Sequence, residues 1–266
     1  MSPDGQPGAG ALRARWRAGQ PAFGLWGAIG SSLTAELAAA SGYDYVCVDL
    51  QHGLADERTM VSMFQATVAA GSTPFARVVW NEPGLIMRVL DLGAAGVIVP
   101  LVNGPEEAAR AVRACRYPPD GMRSYGPSRA ELVLGTGVPA ELAAAVLCFV
   151  MIETAEGLER VEEIAATPGL DGLYIGPSDL SVSLGLTPGV GGPALEAAIA
   201  RVREVAHGQG LIAGMHCASG EAARARAGEG FELVTVAVDS SLYRASIARE
   251  LAAARGAGLE SARSAG

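Results

Sequence analysis

Lysine is missing altogether: all 20 basic residues are arginine. Its absence excludes every mechanism that runs through a lysine amine, including Schiff-base aldolases, pyridoxal-phosphate enzymes, the phosphate-loop lysine and lysine general bases. The four cysteines (Cys47, Cys115, Cys148, Cys217) have no C-x₂-C spacing, which excludes the usual zinc and dithiol motifs. They read as small buried hydrophobes in a reducing compartment. Charged residues are only 18% of the chain and the net charge is −8, so no basic face for nucleic acid or an anionic membrane is expected. No run reaches 18 apolar residues without a charge or turn signal, and the start (MSPDGQPGAGALRARWRAGQ) lacks the apolar stretch of a signal peptide. A cytoplasmic protein without a membrane span, and binding no nucleotide cofactor, is the expectation.

What is present is a hydrophobic fraction of 50% spread over 266 residues, enough for a large core. Short apolar runs alternate with amphipathic helical segments. The strand candidates are 22–29, 44–50, 74–80, 96–102, 147–153, 172–176, 211–216 and 233–238. They are apolar throughout rather than alternating, as in a parallel sheet covered on both faces. Helices are expected after Ser32 and Asp56 as caps, over 105–116 and over 193–207, with proline, acid or glycine where helix ends need them. Eight strands separated by helices predict an α/β fold, a single (β/α)₈ TIM barrel over residues 21–255, with flexible tails at 1–20, the first running into a short helix, and 256–266. A doubly wound open sheet is disfavoured because no G-x-G-x-x-G follows the first strand. Two long loops, 117–137 and 185–193, interrupt the alternation.

In such a barrel, catalytic groups come from the C-terminal ends of strands. Four strand ends carry polar residues the apolar pattern does not explain: Asp49-Leu50-Gln51-His52, Arg77, Glu153-Thr154 and Gly176-Pro177-Ser178-Asp179. An unpaired buried carboxylate at Glu153 is costly, and Asp179 doubles as a helix cap. Two carboxylates without a His or Cys ligand set suit a hard cation such as Mg²⁺ or Mn²⁺. A cation beside a fixed arginine is a site for an anionic oxygen that develops during reaction, such as an enolate. His52, with Asp49 three residues earlier to orient it, is the proton handler. His216 ends a strand and is a weaker candidate, His207 is a helix-end residue, and Arg123 and Tyr125 in the first long loop are candidates to cover the site.

Five segments, YDYVCVDLQHG (43–53), RVLDLGAAGVIVPLVNGPEEA (88–108), RYPPDGMRS (116–124), VMIETAEGLERVEEIAATPGLDGLYIGPSDLSVSLG (150–185) and VAVDSSLYR (236–244), resemble the HpcH/HpaI family of class II pyruvate aldolases over roughly residues 20–250. The resemblance implies a barrel of the phosphoenolpyruvate/pyruvate-binding type. It also implies a divalent-metal-dependent lyase (Mg²⁺, Mn²⁺ or Co²⁺) that reversibly cleaves a 4-hydroxy-2-oxo acid to pyruvate and an aldehyde through a metal-stabilised enolate. Glu153 and Asp179 would be metal ligands, Arg77 would hold the pyruvyl oxygen, and His52 would move protons with Asp49 behind it. Ser178 and Asp179 would receive the substrate carboxylate through backbone N–H groups, with Gln51 beside them. A homotrimer or homohexamer with an exchanged C-terminal helix is also implied. Gln51 and Met151 depart from the family pattern, which has Glu and Gln there, and both bear on the substrate. A CoA-thioester lyase of the citrate lyase β-subunit or malyl-CoA lyase type and a non-catalytic barrel are the alternatives.

Overall fold

The computed structural model describes residues 7–188 and 191–256. In chain order, α1 (Ala9–Arg17) precedes β1 (Ala22–Gly27), α2 (Ser32–Ala40), β2 (Tyr45–Asp49), α3 (Glu57–Ala69), β3 (Thr73–Arg77), α4 (Pro83–Asp91) and β4 (Gly96–Val99). There follow α5 (Pro105–Cys115), α6 (Ser128–Leu134), α7 (Pro139–Ala144), β5 (Leu147–Ile152), α8 (Ala155–Glu159), α9 (Val161–Ala165) and β6 (Gly172–Ile175). The chain ends with α10 (Pro177–Ser183), α11 (Pro193–Gly208), β7 (Ile212–His216), α12 (Gly220–Gly228), β8 (Leu233–Val238) and α13 (Asp239–Ala254). The eight strands are parallel and close in sequence order, with β8 pairing back onto β1, so the (β/α)₈ barrel is observed. Among the described residues no helix is long and apolar enough to cross a membrane.

Strand side chains alternate between two cores, as the two-residue strand period requires. Val46, Val48, Val97, Val99, Cys148 and Val150 point outward into the layer shared with the helices. Tyr45, Cys47, Phe75, Phe149, Met151 and Tyr174 point inward and fill the barrel. The interior has room for these rings because glycines lie opposite them in register: Gly24 beside Tyr45, Gly96 beside Phe75, Gly172 beside Phe149 and Gly214 beside Tyr174. The two buried phenols are satisfied by one hydroxyl, with Thr235 Oγ1 at 2.8 Å from Tyr45 Oη and 2.6 Å from Tyr174 Oη.

Two expectations need correction. The short helix expected at the end of the N-terminal tail is α1, but it already spans residues 9–17 of that tail and closes the bottom of the barrel; Ala9 and Leu12 are buried in the inner core. The aromatic filling explains this, since it would otherwise be open to water at the strand N-termini. Trp16 packs edge-on against Phe149 (6.2 Å between centroids) and its Nε1 donates to the Glu232 carbonyl at 2.9 Å, while Arg13 pairs with Asp171. Residues 1–6 and 257–266 of the expected tails lie outside the described residues, as do 189–190 of the second long loop. The first long loop, 117–137, contains α6, whose Ala130 packs with Tyr117 and Leu142. Asp56 caps α3 by accepting the Thr59 N–H at 2.8 Å, whereas α2 starts at Ser32 itself, after Ser31 as cap residue.

Gly172→Ala tests the pairing of rings with glycines. A β-carbon there would lie 2.2 Å from a Phe149 ring carbon and 2.5 Å from the Ile212 carbonyl oxygen, neither of which has space to retreat. A loss of about 3 kcal/mol is expected from such overpacking, measured by urea unfolding; a variant as stable as the parent would refute this account of the interior.

Candidate active site

The inward parity that fills the barrel with rings also delivers polar residues to its C-terminal mouth. Along β2 the inward series runs Tyr45, Cys47, Asp49, and along β3 it runs Phe75, Arg77, with Asp49 and Arg77 directly in register. Arg77 Nε donates to Asp49 Oδ1 at 2.9 Å and its Nη2 to Oδ2 at 2.7 Å, a two-pronged pair in which both residues are buried. Burial alone would raise the Asp49 carboxyl, but the hydrogen bonds and charge of Arg77 outweigh it and hold the carboxyl below its ordinary range. Arg77 is held above its own ordinary value by the same pair, against its burial. Its guanidinium lies over the Trp26 ring, 5.0 Å from the centroid.

Asp49 Oδ1 also accepts the backbone N–H groups of Gln51 (3.0 Å) and His52 (3.2 Å). The expectation that Asp49 orients the His52 imidazole is therefore corrected: it fixes the turn carrying His52 through the main chain, because its oxygens are taken by Arg77 and these amides. The His52 side chain itself is exposed at the edge of the cleft.

Glu153 has the opposite environment. It is buried, and its Oε1 accepts the Leu101 N–H at 2.8 Å while Oε2 has no partner. Leu101 adopts a left-handed backbone (φ 53°), rare for a side chain of this size, and this conformation belongs to the residue whose N–H meets the carboxylate. Oε2 lies 2.4 Å from where a β-carbon on Gly176 would be, so a side chain there would displace the carboxylate. Burial pushes the Glu153 carboxyl up to about 7; the Leu101 hydrogen bond and Arg77 oppose this, and the Asp179 carboxylate adds to it. A buried carboxylate oxygen without a partner, with a second carboxylate near enough to repel it, fits a hard cation that takes oxygen ligands. Among the described residues no three His, Cys, Asp or Glu side chains cluster as a metal-ligand set.

These groups surround a cleft of about 320 Å³ at the strand C-termini. Asp49, His52, Arg77, Ser178 and Asp179 line it, with Glu153 directly beneath Gly176; Gln51 is not part of the wall. Asp179 is not the cap of α10 that its sequence position suggested: Gly176 is the cap residue and Pro177 opens the helix, whose first turn leaves the N–H groups of Ser178 and Asp179 without intrahelical acceptors. Arg123 does not cover the cleft; it is buried against Asp91 and Tyr117, and Tyr125 bonds to the Gly137 carbonyl. His207 pairs with Glu232 near the protein surface.

Several contributors were missed or undervalued from sequence. Trp26, Met151 and His216 line the cleft, and inward parity along β1, β5 and β7 is the signal that places them there. Asp239, the first residue of α13, accepts the N–H groups of Ala28 (2.9 Å) and Ile29 (3.2 Å) and so fixes the loop after β1. Nothing in the local sequence pattern marks that contact.

The Glu153 environment has a measurable sign. Its carboxyl titrates near 7 in the folded protein and near 4.5 when unfolded, so in EDTA stability is lost as pH rises from 4.5 through 7, by up to about 3 kcal/mol at 1.4 kcal/mol per unit. Glu153→Gln is expected to be more stable than the parent at pH 8 in EDTA, with the gap closing by pH 5. Mg²⁺ should then stabilise the parent and leave the variant unaffected. Identical pH–stability curves for the two proteins in EDTA would contradict this account.

Comparison with known proteins agrees over nearly the whole chain. The family model described as HpcH/HpaI aldolase/citrate lyase matches residues 22–246. A hydroxypyruvate/pyruvate aldolase from Rhizorhabdus wittichii is 40% identical over 92% of this chain and 98% of its own. A 4-hydroxy-2-oxo-heptane-1,7-dioate aldolase from Escherichia coli is 35% identical over 92% of this chain and 95% of its own. Among solved structures, an HpcH/HpaI aldolase/citrate lyase family protein from Burkholderia cenocepacia superposes with a TM-score of 0.85 at 36% identity, covering 92% of this chain and 99% of that one. With the barrel, the strand-end carboxylates and the fixed arginine in place, this chain belongs to the HpcH/HpaI aldolase/citrate lyase family.

Proposed function

We propose that the protein is a divalent-metal-dependent pyruvate aldolase, a lyase that reversibly cleaves a 4-hydroxy-2-oxo acid to pyruvate and an aldehyde. The observation that carries this reading is one cleft lined by a guanidinium locked by Asp49, with a buried carboxylate that keeps an open oxygen, Glu153, directly behind its wall at Gly176. A chain without lysine has no enamine route to the same chemistry. Glu153 and Asp179 would hold Mg²⁺, Mn²⁺ or Co²⁺, which when bound polarises the 2-oxo group and supplies the electron sink.

The chain's own residues do the rest. Two of the three Arg77 nitrogens are engaged by Asp49, which leaves Nη1 for the C2 oxygen of the substrate. The backbone N–H groups of Ser178 and Asp179 take the substrate carboxylate. His52 removes the proton of the C4 hydroxyl; the C4 oxygen becomes the aldehyde carbonyl, and the electrons of the C3–C4 bond pass to C3 and the C2 oxygen. Arg77 holds the enolate so formed until C3 is protonated, giving pyruvate. Because Asp49 fixes the guanidinium beforehand, no reorganisation is needed as charge develops. Gln51 bears on this site through the turn it shares with His52.

The same reading includes a homotrimer or homohexamer with an exchanged α13, and a cytoplasmic location. Asp239 is the single buried residue of α13, while Leu242, Tyr243, Ile247 and Leu251 are exposed along it, which supports a partner surface. Within the cleft wall Arg77 is the one basic residue besides histidine, so nothing there favours a CoA thioester with its phosphates.

Hydrogen–deuterium exchange at the pyruvate methyl group, followed by NMR in D₂O, tests the enolate half-reaction without knowledge of the aldehyde. Exchange is expected with Mg²⁺, none in EDTA, and none for Glu153→Ala; exchange that persists in EDTA would defeat the metal assignment. Arg77→Ala should lower kcat for exchange by about 10²–10³, as for loss of one preorganised donor to an oxyanion. Near-normal turnover would remove Arg77 from the mechanism.

A further inference from the structure

His216 closes the inward series Ile212, Gly214, His216 on β7 and reaches the cleft wall. Its ring stands edge-on to Trp26, 5.0 Å between centroids, on the same indole that carries Arg77. Aromatic and cationic neighbours thus fix its place, yet its ring nitrogens bond to no described residue, and the groups that act on it are Arg77 and Asp49 by charge alone. Burial, and then the Arg77 charge, hold the imidazole down at about 4, so it is neutral in neutral solution. A neutral imidazole offers one donor and one acceptor, the complement of a hydroxyl rather than of a carboxylate. A substrate anchored by its C1 oxygens at Ser178 and Asp179 and by its C2 oxygen at Arg77 turns its third carbon toward the remaining wall. Apart from His52, to which the proton transfer is given, that wall is Trp26, Ala28, Met151, His216 and Val238; the Trp26 N–H is turned to Asp49, so among these His216 carries the unengaged hydrogen-bonding nitrogens.

We infer that His216 is a specificity-determining residue that hydrogen-bonds a hydroxyl on C3 of the 2-oxo acid, so that the site favours hydroxylated donors over pyruvate. The inference rests on the aldolase reading above and goes beyond it by assigning the discriminating contact. Met151 supports it from the opposite side, since a thioether on β5 offers such a hydroxyl no comparable partner. A pocket with a polar group placed for a hydroxyl discriminates against the analogue that lacks it, because the polar group is then left unpaired.

The test measures C3 proton exchange in D₂O with Mg²⁺ for hydroxypyruvate and for pyruvate separately, with no aldehyde present and with enzyme-free rates subtracted. The quantity read is the ratio of kcat/KM for hydroxypyruvate to that for pyruvate. In His216→Phe, which keeps a ring against Trp26, this ratio should fall about 10-fold or more, as for a lost hydrogen bond at a buried polar site. In His216→Asn, which keeps a donor and an acceptor, a substantial part of the ratio should return. A ratio within two-fold of the parent in His216→Phe, whether both rates fall together or neither does, overturns the inference while leaving the aldolase reading intact. Failure of the parent enzyme to exchange either acid overturns both. Thermal unfolding of each variant confirms that folded protein was compared.

Discussion

The site is organised around the buried pair of Asp49 and Arg77. Removing either partner would leave the other charge buried and unpaired, at a cost of about 3–5 kcal/mol, so the pair is kept intact by the fold itself. Its geometry follows from strand register alone, because in-register neighbours on parallel strands project side by side. From this pair the other features follow. The guanidinium has a fixed plane and one nitrogen left for a ligand. The turn carrying His52 is tied down by the remaining lone pairs of Asp49. The positive charge of Arg77, next to burial itself, keeps His216 neutral.

Glu153 shows what the absence of such a partner does. Both carboxylates are buried at strand ends, yet Asp49 is held ionised and Glu153 is pushed up to about 7. The contrast comes from one difference in environment: Asp49 meets a guanidinium in register, whereas Glu153 meets a single backbone N–H and the field of a second carboxylate. The left-handed conformation at Leu101 and the missing side chain at Gly176 are local concessions that make room for this carboxylate. One concession lies at each oxygen: Leu101 gives its N–H to Oε1, and Gly176 leaves the space that Oε2 occupies without a partner.

The barrel was legible because its evidence is periodic: eight apolar runs of strand length, each followed by a helical segment, admit few topologies. The same periodicity, carried one step further, was enough to find more of the site. Counting inward from Tyr45, Phe75 and Phe149 leads to Asp49, Arg77 and Glu153, and the same count on β1 and β7 leads to Trp26 and His216. Position at a strand end identified the charged residues and passed over the tryptophan, since an apolar residue at a strand end looks like core. Contacts between distant parts of the chain were illegible for a different reason. That Asp49 serves Arg77 rather than the His52 ring, that Arg123 turns to Asp91, and that α1 plugs the barrel all depend on which partner is nearest in three dimensions. Residue type and local spacing carry no information about that.

Asp239 joins the two ends of the barrel's construction. Pairing of β8 with β1 shifts register between Gly24 and Leu25, so the seam where the barrel closes is irregular just below the cleft. The Asp239 carboxylate holds the Ala28 and Ile29 amides in the loop above the seam and accepts the Thr34 hydroxyl of α2. Ala28 and Val238, on either side of that contact, both line the cleft. Asp239 is also the first residue of α13 and its one buried residue. The carboxylate that steadies one wall of the cleft is therefore supplied by the helix that follows the last strand, so the loop after the first strand takes its shape only when the barrel has closed.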